Sequence, residues 1–125
     1  MADNFDAEEI IYDMIKNIGV SVFKGRVPRD KEGEYINVRS NGCNYDDVVN
    51  IPQVNVNIYV PRPAGGMVNR TRIKAIRTLV YNAISGADDP EGYYCIIDQS
   101  FSSLIDDVRE GYDCFTIRYE LTLNK

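Results

Sequence analysis

The sequence predicts a two-layer α+β sandwich: a mainly antiparallel or mixed sheet of about five strands, with two amphipathic helices on one face. Three observations carry this expectation. Two stretches repeat apolar residues at helical spacing, and five others are β-branched, aromatic or alternating. Their order is helix, hairpin, strand, helix, hairpin, with no linker, repeat or low-complexity tract between them. Two such helices suffice to cover one face of a single sheet, so the 125 residues, 1–125, are expected to form one α+β domain.

The first helix is expected from about Asp6 to Ile18, where Ile10, Ile11, Met14, Ile15 and Ile18 form an i, i+3, i+4, i+7, i+8 stripe. Asp3, Asn4 and Asp6 offer capping oxygens, Glu8 and Glu9 suit the positive end of the helix dipole, and Gly19 is placed to close the helix. Val20 to Val27 is β-branched and aromatic and stops at Pro28, which cannot donate to a ladder. A charged turn around Gly33 leads to a second alternating run, Glu34 to Val38, and the pair is expected to form a hairpin.

Ser40 to Asp47 carries Asn41-Gly42, Asn44 and Asp46-Asp47 and reads as a loop. Gln53 to Val60 then alternates cleanly, with Val54, Val56, Ile58 and Val60 on one face and Asn55, Asn57 and Tyr59 on the other. Two prolines and two glycines in Pro61-Arg62-Pro63-Ala64-Gly65-Gly66 end that strand. The second helix follows, capped by Asn69 or Thr71, with Ile73, Ile76, Leu79, Val80, Ala83 and Ile84 as its buried stripe and Gly86 at its end.

After an Asp88 to Gly92 turn, Tyr93 to Ile97 reads as a strand, continued or bulged through Phe101 to Ile105. Glu110-Gly111 turns the chain into a long last strand, Tyr112 to Leu123, whose Phe115, Ile117, Tyr119, Leu121 and Leu123 face one way.

Composition narrows the function. Histidine is absent, which removes the commonest general base and neutral metal ligand, and the expectation is a protein that is not an enzyme and carries no cofactor or metal. The paired aspartates 46–47, 88–89 and 106–107 lack calcium-loop spacing and read as turn residues. Cys43, Cys95 and Cys114 show neither a framework nor a zinc spacing and are expected to be free thiols. The first residues lack the basic start and apolar core of a secretory signal, so export by that route is not expected, and no apolar run is long enough to span a bilayer.

Charge is segregated along the chain. Between Asp47 and Asp88 there is no acidic residue, while Arg62, Arg70, Arg72, Lys74 and Arg77 supply five positive charges; both flanks are acidic. These five are the candidate site. Either they form a basic surface that meets an acidic one on another copy or partner, or they are a solvated helix side paired with nearby acids. Nucleic acid is disfavoured as a partner because the chain is net negative, by five charges, and carries no P-loop, zinc finger or ribonucleoprotein motif. Tyrosines beside strands, among them Tyr35, Tyr59, Tyr93, Tyr94, Tyr112 and Tyr119, suit either a half-wet interface or cross-strand packing.

The order of elements, the run Val22-Phe23-Lys24-Gly25-Arg26-Val27-Pro28, the Val54 to Val60 strand, the Pro-Gly loop before a basic amphipathic helix and the final hairpin resemble tail terminator (tail completion, head-tail joining) proteins of long-tailed bacteriophages or prophages. The resemblance covers most of the chain. It implies a structural protein that forms a homo-oligomeric ring, usually a hexamer, caps the tail tube and joins it to head-tail connector proteins. It also implies residence in the host cytoplasm during assembly and then in the virion. Another neck or connector component, or a small nucleic-acid-binding or regulatory domain, are the alternatives.

Overall fold

Helix α1 (Asn4–Ile15) begins where the capping oxygens stand: Asp3 is the N-cap, its carboxylate accepting from the amides of Phe5 and Asp6, while Asp6 accepts from the Asp3 amide, a reciprocal capping box. The computed structural model describes residues 3–28, 30–45, 49–63, 66, 68–85, 95–106 and 111–124. The helix starts and ends before the expected bounds, with Lys16 as its C-cap, so Gly19, at φ +93°, serves the connection to the sheet rather than the helix end.

Five strands follow: β1 (Ser21–Lys24), β2 (Tyr35–Tyr45), β3 (Val49–Pro61), β4 (Cys95–Asp106) and β5 (Tyr112–Asn124), with α2 (Arg70–Ser85) between β3 and β4. They form one mixed sheet in the order β1-β2-β3-β5-β4. The expected α+β class is therefore the one observed. The β2–β3, β3–β5 and β4–β5 pairs are antiparallel, and β4–β5 is the C-terminal hairpin the sequence predicts.

Two expectations are corrected. β1 and β2 do not form a hairpin; they pair in parallel, Ser21 opposite Tyr35 and Lys24 opposite Val38. The connection is too long for a tight turn. Its ends are set by Gly25 and Gly33, both at positive φ, and Gly25 is tied back to β2 by its amide to the Val38 carbonyl at 2.9 Å. The segment from Ser40, read as a loop, continues β2 to Tyr45. Asn41-Gly42 forms a bulge there instead of a turn, with Gly42 at φ +140° and the register shifting between Ser40 and Gly42. A second bulge between Gln99 and Phe101 lies inside β4, as the interrupted apolar pattern of that strand suggests.

Both helices lie on one face of the sheet. α1 covers β1, β2 and β3, and α2 lies beside it over β3, reaching β4 through Gln99 Nε2, which donates to the Tyr81 hydroxyl at 3.3 Å, and β5 through Arg77 over the Phe115 ring. Ala7, Ile10, Ile11 and Ile15 of α1 and Ile73, Ile76 and Val80 of α2 pack on Ile36, Val38, Val54, Val56, Ile58, Val60, Ile117, Tyr119, Leu121 and Leu123. The period-2 alternation of β3 and β5 thus delivers one continuous apolar layer. Leu79, expected in the stripe of α2, is 38% exposed: it follows Ile76 by three residues but falls on the outer side of the arc centred on Ile73, Ile76 and Val80. Gly86, the Asp88 to Gly92 turn, Tyr93 and Tyr94 lie outside the described residues. No helix among the described residues is long and apolar enough to cross a membrane.

Candidate functional site

The five basic residues of the acid-free segment separate into two groups. Arg62 leaves the end of β3 and places Nε and Nη2 at 3.1 and 3.0 Å from Oδ1 of Asp113, a β5 residue only 1% exposed, while its amide donates to the Gly111 carbonyl at 2.8 Å. This is a fastening between adjacent strands. Arg72, in the first turn of α2, reaches Glu34 just before β2: Nε lies 2.8 and 2.7 Å from the two carboxylate oxygens, and Nη2 also bonds Oε1. The hydrogen bond to Glu34, opposed by a smaller desolvation effect, holds this guanidinium above its ordinary pKa.

Arg70, Lys74 and Arg77 are placed differently. Their i, i+4, i+7 spacing puts them along one side of α2, a helix whose start is capped by Asn69, Oδ1 accepting from the Arg72 amide at 3.2 Å. With Val68, Ile73, Leu104 and Phe115 they line an open cavity of about 90 Å³ between α2 and the β4–β5 hairpin. The Arg77 guanidinium sits 5.7 Å from the Tyr81 ring and 6.0 Å from the Phe115 ring, within cation–π range, and its Nε is buried without a hydrogen-bond partner. Among the described residues, none of the three has a carboxylate within 4.0 Å. The result is an apolar floor rimmed by three cations, suited to an apolar group flanked by acids.

The opposite face of the sheet is not the bland polar surface its asparagines suggest. Tyr35 and Tyr59 stack at 4.7 Å across β2 and β3, with Phe23 and Tyr112 against Tyr35 at 6.2 and 6.0 Å. Beside them runs a transverse chain of polar groups. Thr116 Oγ1 donates to Asn57 Oδ1 at 2.9 Å, Asn57 Nδ2 to Asn37 Oδ1 at 3.2 Å, and Asn37 Nδ2 to the Gly25 carbonyl. Gly25, Arg26, Val27 and Pro28 border this face with Tyr35, Asn37, Arg39 and Tyr59, leaving an open groove of about 530 Å³. Burial, and then the neighbouring Cys114 and Tyr35, push the Tyr59 hydroxyl well above its ordinary pKa; burial likewise raises the Cys114 thiol.

The structure therefore brings together Arg70, Lys74 and Arg77 and sets Arg62 and Arg72 apart. Sequence reasoning overlooked Leu104 and Phe115 as the cavity floor and the Asn37–Asn57–Thr116 chain. The alternation of Asn55 and Asn57 on one face of β3 was the available signal for the latter. Asp46, Asp47, Asp88, Asp89 and Asp107 lie outside the described residues, and among the described residues no group of three or more metal-ligating side chains occurs. No protein-family model matches the chain, and comparison with curated proteins yields no significant match.

Proposed function

We propose that this chain is a structural subunit of virion assembly, of the tail-terminator kind, which associates with copies of itself into a ring that caps a tail tube and offers a surface to the head connector. The observation that supports the reading is the rim of Arg70, Lys74 and Arg77 around an apolar floor, unpaired within the described chain while an acidic α1 lies elsewhere on the same molecule. A ring requires one surface of each copy to complement a different surface of the next, and segregated charge supplies that complementarity. Arg62 and Arg72 are occupied within the chain and are not assigned to the contact.

Analytical ultracentrifugation from ~10 μM to ~1 mM at low salt tests this; ~1 mM corresponds to only about 4 kcal/mol of association. Mass should rise beyond dimer, rings should be visible by electron microscopy, and the doubly reversed Arg70→Glu, Lys74→Glu variant should remain monomeric. A wild-type monomer throughout, or salt-sensitive DNA binding lost in the same variant, would overturn the reading in favour of a different partner.

A further inference from the structure

Phe5 is the most exposed large apolar side chain among the described residues, at 74%. It stands in the first turn of α1, among Asp3, Asp6, Glu8 and Glu9; Asp3 and Asp6 cap the helix and Glu8 holds the Ser40 amide, while Glu9 and Asp13 pair with Lys24 and Lys16 in solvent-exposed bridges that a partner's cations can replace at little cost. An aromatic ring held out among carboxylates is the chemical complement of the α2 cavity, an apolar floor of Val68, Ile73, Leu104 and Phe115 rimmed by cations.

Within one copy the two features are set over different strands. α1 lies over β1, β2 and β3, and Glu8 is fixed to the amide of Ser40 at 2.9 Å, towards the bulged end of β2. The cavity opens beside β4 and β5 near Phe115, whose β3 partner is Ile58 and, one strand further, Ile36, towards the start of β2. The Glu8 anchor and the cavity therefore lie over different strands of the sheet, at levels four residues apart along β2.

We infer that the cavity receives Phe5 of a second copy of this chain, with the acids of that copy's α1 meeting Arg70, Lys74 and Arg77. The inference rests on the assembly reading and names its contact. Size is consistent with it: a closed cavity of ~150 Å³ holds a whole benzene, so an open one of about 90 Å³ admits the leading part of an aromatic ring. Burying the ring also brings acids beside the Arg77 guanidinium, which among the described residues has no carboxylate within 4.0 Å. Because the two surfaces differ, the contact is heterologous: each copy offers one Phe5 and one cavity, and repetition closes a ring or extends a filament.

The test uses two variants of the full chain. Phe5→Ser removes the inserted ring, and Arg70→Glu with Lys74→Glu disables the cavity rim; all these side chains are exposed, and circular dichroism checks that each variant is folded. Each alone should associate at least about tenfold more weakly than the wild type, as expected when one anchor of a contact is removed. Mixed in equal amounts, they should form a dimer and stop, because one intact Phe5 and one intact cavity remain. If Phe5→Ser assembles like the wild type, the inference falls while the assembly reading stands. A mixture that stays monomeric, or grows beyond dimer, also overturns it. A wild type that is monomeric at ~1 mM removes the assembly reading and the inference together.

Discussion

Arg62 and Asp113 meet where β3 ends beside β5, with two guanidinium nitrogens on one oxygen of a carboxylate that is almost wholly enclosed. The two residues are 51 apart in sequence, so their pairing ties the chain before α2 to the chain after β4. Removing the cation leaves a buried negative charge without its main neutralising partner, a change that costs about 3–5 kcal/mol in such settings. Arg62→Ala should lower unfolding stability by roughly that amount in urea titration. A loss below about 1 kcal/mol would mean that Asp113 is hydrated or otherwise compensated.

Arg72 and Glu34 make the opposite case. Their side chains are 42% and 30% exposed, so solvent screens the pair and its contribution is about 1 kcal/mol or less. Arg72→Ala should therefore barely change the unfolding midpoint. It should also leave self-association intact, in contrast to Arg70→Glu with Lys74→Glu; equal loss in both would return all five basic residues to one undivided surface.

Asn57 is the middle of the polar chain, accepting from Thr116 and donating to Asn37. Asn37 and Thr116 are 6% and 5% exposed, so water cannot readily replace the lost bonds. Asn57→Ala should cost about 1–3 kcal/mol by chemical denaturation. Near-neutrality would show that the three side chains are individually satisfied by other groups.

Alkali should weaken the fold. Burial raises the pKa of Tyr59 and Tyr119 above the ordinary 10.0 and that of Cys114 above 9.0, so each group holds its proton more tightly folded than unfolded. Their stabilising contribution is complete below those ordinary values and is lost as pH rises through and above them. Thermal melts should fall from about pH 9 upwards, and Tyr119→Phe should reduce the slope. A flat stability profile to pH 11 would contradict the burial of these groups.

Much of this fold is written in local periodicity. The 3.6-residue stripe of α1, the Asn69 cap and apolar arc of α2 and the strict alternation of β3 and β5 are decided by neighbours along the chain, and each is close to where the sequence places it, α1 two to three residues early and Leu79 off the arc. The parallel pairing of β1 with β2 is not decided locally, since the same strand patterns serve either direction. Asn41-Gly42 misled for a related reason, because residues that tolerate positive φ serve bulges as well as turns. The basic segment was legible as a charge pattern, but its division was not: the partners of Arg62 and Arg72 lie 51 and 38 residues away.

The place of β5 between β3 and β4 also governs how the chain can fold. β3 ends at Pro61, yet its second neighbour begins only at Tyr112, so the centre of the sheet closes after α2 and the whole of β4 have been traversed. Until then β2 and β3 are a hairpin with one open edge, and β4 and β5 are another. Docking two preformed hairpins across so wide a loop is slow relative to forming either one. Refolding should therefore be limited at the β3–β5 seam, so that Ile58→Val or Ile117→Val slows it more than equally buried changes in α1 do, as stopped-flow refolding would read.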